Sequence, residues 1–292
     1  MRVAIFGVGG QLGRAVAAVF ATAHDVVAVD HDRADIRHAG AVDDVVRAAK
    51  ADWVVNSAAM THVDRCENDP LAAFEVNAVG ARNIARACAA AGARLLHVST
   101  DYVFDGEKDG AYLEHDVARP INAYGMSKLA GEWFVRAECE SHVIVRSSGL
   151  YGLYVCRGKG KSFAETILAR ARQGQALKVV SDERLTPTFT EDLARQLTSM
   201  VEREVPSGIY HATNAGSCSW FEFASELVRL ARVEAAIEPI PAREWKSPTR
   251  RPANSVLENG ALAALGIDAM PEWRDALARY VAARDDDARP AS

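Results

Sequence analysis

The chain lacks any apolar run long enough to cross a bilayer, any block rich in Lys and Arg, and any C-x-x-C or H-x-x-x-H pair. A membrane-spanning helix needs about 20 consecutive apolar residues, so none is expected and a membrane partner is set aside. With 34 Lys and Arg against 39 Asp and Glu, the formal charge is −5. No basic face is therefore expected to track a phosphate backbone, and nucleic acid is set aside as well. The five cysteines (Cys66, Cys88, Cys139, Cys156, Cys218) are scattered and odd in number, which fits reduced thiols of a cytoplasmic protein better than a disulfide framework. Neither they nor the histidines have metal-ligand spacing, so no metal site is expected. The opening Met1-Arg2-Val3-Ala4-Ile5-Phe6 is too short for a signal peptide and reads as a first strand. Aromatic residues are few, at 7%, but a 49% hydrophobic content in 292 residues supports a sizeable core. That length suggests one large domain with a smaller partner.

The first half alternates short apolar runs with amphipathic stretches. Arg2–Phe6, Val26–Asp30, Trp53–Asn56, Arg94–Ser99 and His142–Ser147 read as strands buried on both faces. Gln11–Ala21 and Val42–Lys50 read as helices between them. Pro70–Ala91 is a third, with Asp69 as N-cap and Pro70 at the first helical position. This rhythm implies right-handed crossovers and a parallel sheet covered on both sides. The expected fold is thus α/β: a Rossmann-type doubly wound parallel sheet with a smaller C-terminal substrate-binding domain. Residues 1–150 would form the nucleotide-binding domain and 151–292 mainly the substrate region, with elements at about 176–203 returning to the first. In the second part, Gly152–Lys161 reads as a mobile loop, Ser162–Gln173 and Thr190–Val201 as helices, and Ala176–Val180 as a strand. Ser219-Trp220-Phe221-Glu222 has the form of a capping box. Pro239–Pro252 reads as irregular, Trp273–Ala283 as a closing helix, and Arg284–Ser292 as a disordered charged tail.

Gly7-Val8-Gly9-Gly10-Gln11-Leu12-Gly13 follows the first strand and opens the first helix. A tight turn and close approach of a pyrophosphate both need backbone without Cβ, and the helix N-terminus offers unpaired N–H groups and a positive dipole end. Glycine turns also join strands to helices for steric reasons alone, but here an acid stands where a dinucleotide site requires one. Asp30, 17 residues beyond Gly13, is placed to accept hydrogen bonds from an adenosine ribose. A carboxylate there favours NAD(H) by repelling a 2′-phosphate. Arg33 could instead welcome that phosphate, so NADP(H) stays open.

Ser99-Thr100-Asp101-Tyr102 ends the fourth strand, at the carboxyl edge where open α/β sheets bind ligands. Then comes Tyr124-Gly125-Met126-Ser127-Lys128. Residues four apart on a helix share a face, so phenol and ammonium point the same way. A cation beside the phenol favours the phenolate and brings its pKa down toward the range useful for acid–base catalysis. The hydroxyl of Thr100 can hold a carbonyl oxygen against Tyr124. Tyr124, Lys128 and Thr100 are the expected catalytic residues. Other features are weaker. Small residues at Asn56-Ser57-Ala58-Ala59 would let a cofactor lie against the backbone, and close packing explains them almost as well. His62, His97 and His211 read as structural or solvated, Trp220 and Phe221 as core. Arg250-Arg251-Pro252 could bind a diphosphate or be merely solvated.

With these motifs in order, the chain resembles an extended short-chain dehydrogenase, closest to the dTDP-4-dehydrorhamnose reductase family. The specific pieces are Gly10-Gln11-Leu12-Gly13, Ala58-Ala59-Met60-Thr61 with Val63-Asp64, Ser99 to Gly106, Tyr124 to Glu132, Pro187-Thr188, and Arg251-Pro252 with Asn254-Ser255. The resemblance implies reduction of a 4-keto nucleotide sugar by NADH or NADPH. Beside Gly7 and Gly13, already read as part of the cofactor turn, it implies a cofactor site lined by Gly10, Gln11, Leu12, Asp30, Asp35, Ile36, Ala59, Met60 and Thr61, together with Tyr124 as proton donor and Lys128 on the nicotinamide ribose. Thr100, Asp101 and Arg251 would meet the substrate. Two departures fall on the substrate side. Gly149 stands where the family usually has a tryptophan, which leaves freed space for a bulkier sugar, and Lys161-Ser162-Phe163 replaces Gly-Asn-Phe. An epimerase or dehydratase of the same superfamily and a non-catalytic cofactor-binding subunit remain alternatives. Tyr102 disfavours the dehydratase, which would carry Glu there. A homodimer is kept as a candidate assembly.

Overall fold

The computed structural model describes residues 1–154, 160 and 162–287. Most of the 152–161 loop, Cys156 and the end of the charged tail fall outside these. Twelve strands are present among the described residues: β1 (Arg2–Phe6), β2 (Asp25–Val29), β3 (Trp53–Asn56), β4 (Arg94–Thr100), β5 (His142–Ser147), β6 (Leu150–Tyr151), β7 (Leu177–Val180), β8 (Arg184–Leu185), β9 (Thr188–Phe189), β10 (Gly208–His211), β11 (Cys218–Ser219) and β12 (Ile237–Ile240). Six of them form one parallel sheet in the order β10-β5-β4-β3-β1-β2. The chain leaves β1 toward β2 on one side and resumes at β3 on the other. That reversal opens a crevice at the carboxyl ends of β1 and β3, where such sheets take ligands.

The strand residues alternate between two cores, as a period of two demands. Val3 and Ile5 of β1, Val55 of β3, Leu96 of β4 and Val143 and Val145 of β5 face α1 (Gln11–Phe20) and a later helix, Thr190–Glu202. Ala4, Phe6, Val54, Leu95 and Ile144 face the other way, toward α2 (Ala39–Ala49), α5 (Gly80–Ala91) and α6 (Ala123–Glu138). Between β3 and α5 run α3 (Val63–Asn68) and α4 (Pro70–Phe74), and α4 continues into α5 through one π-turn, Glu75–Val79. Asp69 caps α4 through Ala72 N, with Pro70 in its first turn.

A separate core is built from later residues: Tyr151, Leu168, Val179, Phe189, Phe223, Trp273, Leu277 and Tyr280. It joins α7 (Phe163–Arg172), α9 (Trp220–Leu230) and the final helix α11 (Trp273–Asp287), with α8 being Thr190–Glu202 and α10 Gly260–Ala264. Ser162 and Ser219 both close capping boxes, with Glu165 and Glu222.

Several expectations need correction. The return to the large sheet is made by α8 and β10, whereas β7, expected in that return, pairs with β12 in a two-stranded sheet. Pro239 lies inside β12 rather than in irregular chain, which a two-stranded sheet permits because each strand has an unpaired side. The last helix runs through Arg284 to Asp287, held by Arg284 on Glu165 at 2.9 Å, so residues 284–287 are helical, and the remainder of the expected tail lies outside the described residues. Among the described residues no helix is long and apolar enough to cross a membrane. No group of three His, Cys, Asp or Glu side chains among them could hold a metal.

Candidate active site

The turn after β1 is built by backbone proximity. Gly7 has φ +88°, its N–H donates to Val29 O at 2.9 Å, and a Cβ on it would lie 2.6 Å from Ala58 N. A Cβ on Gly13 would lie 2.1 Å from Gly7 O. Side chains are therefore excluded at both positions, and α1 meets the turn backbone to backbone. Gly10 caps α1 without a side-chain bond, leaving its first N–H groups facing the crevice. Leu12 is buried beneath the turn.

Two further loops border that crevice. After β2, Asp30 accepts from Arg33 N at 3.0 Å, while the Arg33 guanidinium donates to Ala28 O at 2.9 Å. Asp30 thus caps its own loop, and Arg33 is folded back on the strand. Asp35 is held down to about 2 by Arg37, whose side chain chelates it. Ile36 is buried against Gly80, with its carbonyl accepting from Asn83. After β3, Ala59, Met60 and Thr61 are half-buried in an extended loop. Its anchor is Asn77 in the π-turn, which accepts from Met60 N at 2.8 Å and donates to Met60 O at 3.1 Å and Ser127 Oγ at 2.9 Å. Asn77 went unnoticed in the sequence. Only the π-turn, which no periodicity signals, turns it inward.

Tyr124 stands in the first turn of α6, capped by Asn122 through Gly125 N at 2.9 Å. Burial pushes its phenol above its usual pKa, outweighing the lowering effect of the Thr100 hydroxyl. Sequence spacing suggested a lowered value. Lys128 shares the helix face, yet Nζ donates to Val98 O at 2.7 Å and lies 3.5 Å from His97 Nε2. Burial brings its pKa down to about 8, against the pull of Glu132.

On the substrate side, Tyr102 packs edge-on against Tyr124, with ring centroids 5.9 Å apart. Asp101 is buried, and its oxygens accept from Thr100 at 2.9 Å and Ser148 at 2.7 Å. It stands behind Thr100 rather than open to a sugar, a correction to its expected contact. Arg251 bonds Asp64 at 3.1 Å and Ser247 at 2.7 Å, and its charge reaches Tyr102 and Glu183. Gly149 does not leave open space. Its φ is +54°, and a Cβ there would lie 2.6 Å from Leu185 Cδ1 and 3.1 Å from Pro187 Cα. Leu185 already fills the space beside it. Trp220 packs on Phe163, with ring centroids 4.6 Å apart, against the core of the later residues.

The residues fit a dinucleotide. A cradle that any Cβ would fill opens onto an uncapped helix N-terminus, and Gln11 Nε2 is buried beside it without a hydrogen-bond partner. A parallel sheet with this turn and with Thr100, Tyr124 and Lys128 at its carboxyl edge defines an extended short-chain dehydrogenase. Within that class the chain belongs to the family described as RmlD substrate binding domain, whose model matches residues 1–285. It is 37% identical to the spore coat polysaccharide biosynthesis protein SpsK of Bacillus subtilis, over 97% of this chain and 98% of that one. It is 38% identical to the dTDP-4-dehydrorhamnose reductase of Mycolicibacterium smegmatis, over 97% and 85%. The crystal structure of dTDP-4-dehydrorhamnose reductase from Bacillus anthracis in complex with NADP superposes with a TM-score of 0.92 at 35% identity, covering 97% of this chain and 99% of that one.

Proposed function

We propose that this chain reduces the 4-keto group of a nucleotide sugar, using NADH or NADPH. The observation that carries this reading is the placement of Tyr124 one helical turn from buried Lys128 on α6, beside the end of β4 that carries Thr100. When bound, the nicotinamide supplies the hydride that goes to the sugar C4. Gly7, Gly10, Gln11, Leu12 and Gly13 would hold its pyrophosphate, Asp30, Asp35 and Ile36 its adenosine half, and Ala59, Met60 and Thr61 the span toward the nicotinamide. Lys128 would hold the ribose hydroxyls.

As the carbonyl is reduced its oxygen gains negative charge, and Tyr124 donates the phenolic proton to it. Burial keeps that proton on the phenol until the oxygen becomes basic enough to take it. The Thr100 hydroxyl donates to Asp101 at 2.9 Å and would turn from it to donate to the same oxygen. The Lys128 charge stabilises the phenolate that remains. We place the sugar against Tyr102 and Glu183, with Arg251 near the diphosphate. The working assembly in this reading is a cytoplasmic homodimer: Met126 and Trp133, seven residues apart on α6, are both exposed, and sedimentation velocity tests whether two copies associate.

The test is absorbance at 340 nm with NADH or NADPH and a 4-keto-6-deoxy nucleotide sugar. Consumption of one cofactor per sugar supports the reading. Turnover without net oxidation would make the chain an epimerase or dehydratase, and binding without turnover a regulatory subunit.

A further inference from the structure

His97 read as a structural histidine in the sequence, but its surroundings give it a defined job. It lies on β4, 1% exposed, between Asn56 of β3 and Lys128 of α6. Asn56 Oδ1 accepts from Ala58 N at 3.0 Å, so the amide cannot be turned round without setting two donors against each other. Asn56 Nδ2 therefore faces His97 Nδ1, at 3.0 Å, and that ring nitrogen must be the acceptor. In a neutral ring the proton is then on Nε2, and Nε2 faces Lys128 Nζ at 3.5 Å.

We propose that His97, held in its Nε2–H tautomer by Asn56, is a positioning residue that withholds an acceptor from Lys128 and so leaves two of its three ammonium N–H bonds for the cleft. The third is engaged by Val98 O at 2.7 Å. In the opposite tautomer Nε2 would accept a second N–H and turn the ammonium toward the strand. The inference rests on the reading that Lys128 serves the nicotinamide ribose, whose two hydroxyls need two donors.

The local charges agree with this arrangement. Burial and the Lys128 charge hold His97 well below its ordinary pKa, so the ring stays neutral. The other charged group acting on the pair is Glu132 on α6, itself paired with Arg146 of β5. A donor facing the ammonium disfavours its charged form, in the same direction as the burial that brings Lys128 down to about 8.

The test begins with the full-length wild type labelled with 15N-histidine, its His97 signals assigned by their loss in His97→Gln. Long-range 1H–15N correlations should show a neutral Nε2–H ring from about pH 6 to about pH 9. An Nδ1–H ring or an imidazolium in that range overturns the proposal, whether or not the protein reduces a sugar. Asn56→Asp then replaces the donor to Nδ1 by an acceptor and should reverse the tautomer. The Kd for NADPH should rise roughly tenfold, and the alkaline fall in turnover should move up by about one pH unit. The KM for the sugar should not move. A reversed tautomer with unchanged NADPH affinity and pH profile would show that His97 only fills space.

Discussion

Arg146 of β5 and Glu132 of α6 meet in two hydrogen bonds, of 3.0 and 2.7 Å, with both side chains at most 3% exposed. Ser99 adds a third bond to Glu132, so the pair ties the helix carrying Tyr124 and Lys128 to the strand carrying Thr100. Glu132→Ala leaves a buried guanidinium without its partner, which costs about 3–5 kcal/mol. Urea unfolding should show that loss, and turnover of the folded fraction should fall because α6 is no longer fixed against β4. Stability within about 0.5 kcal/mol of wild type would mean the site is braced elsewhere.

Tyr124→Phe removes the phenolic hydroxyl and keeps the ring that packs on Tyr102. NADPH binding should stay within about twofold while turnover falls roughly a hundredfold or more, as for a lost general acid. Parallel loss of binding and turnover would assign Tyr124 to the cofactor instead.

Cofactor choice turns on Asp30. In the proposed site its carboxylate would meet the adenosine ribose, while the Arg33 guanidinium is folded back on Ala28 O at 2.9 Å. NADH should be used at least as well as NADPH. Asp30→Ala should shift the ratio of kcat/KM toward NADPH by roughly tenfold, about 1.4 kcal/mol. Strong NADPH preference in the wild type would mean that Arg33 swings out to the phosphate.

At Gly149, φ +54° and the 2.6 Å approach of a Cβ to Leu185 penalise any side chain. Gly149→Ala should lose about 1–2 kcal/mol of stability from backbone strain alone. Gly149→Trp should lose more and should not sharpen discrimination among sugars. A stable, more selective tryptophan variant would show that the loop can reopen.

The strands and helices of the first half were legible because doubly buried strands are apolar runs, amphipathic stretches separate them, and one helix start is marked by Asp69 and Pro70. The glycine turn and the Tyr124/Lys128 spacing were legible because each is a local constraint. β10 was missed: Gly208-Ile209-Tyr210-His211 is a short edge strand whose partner, β5, lies more than 60 residues earlier. The roles of Asn77, Glu132, Arg146 and His97 depend on pairings across the sheet, so a one-dimensional pattern carries no trace of them. Gly149 misled for a related reason. A missing side chain looks like free space until the packing shows Leu185 occupying it.

In the proposed reaction hydride leaves the nicotinamide for C4 of a nucleotide sugar and stays there. The most direct measurement supplies NADPH or NADH deuterated at the transferable position of C4, a 4-keto-6-deoxy nucleotide sugar and the wild-type protein, and reads the product by NMR. One deuterium is expected on the sugar C4 for each cofactor oxidised, with the label absent after Tyr124→Phe over the same interval. A changed sugar without deuterium at C4 and with the cofactor still reduced would contradict it.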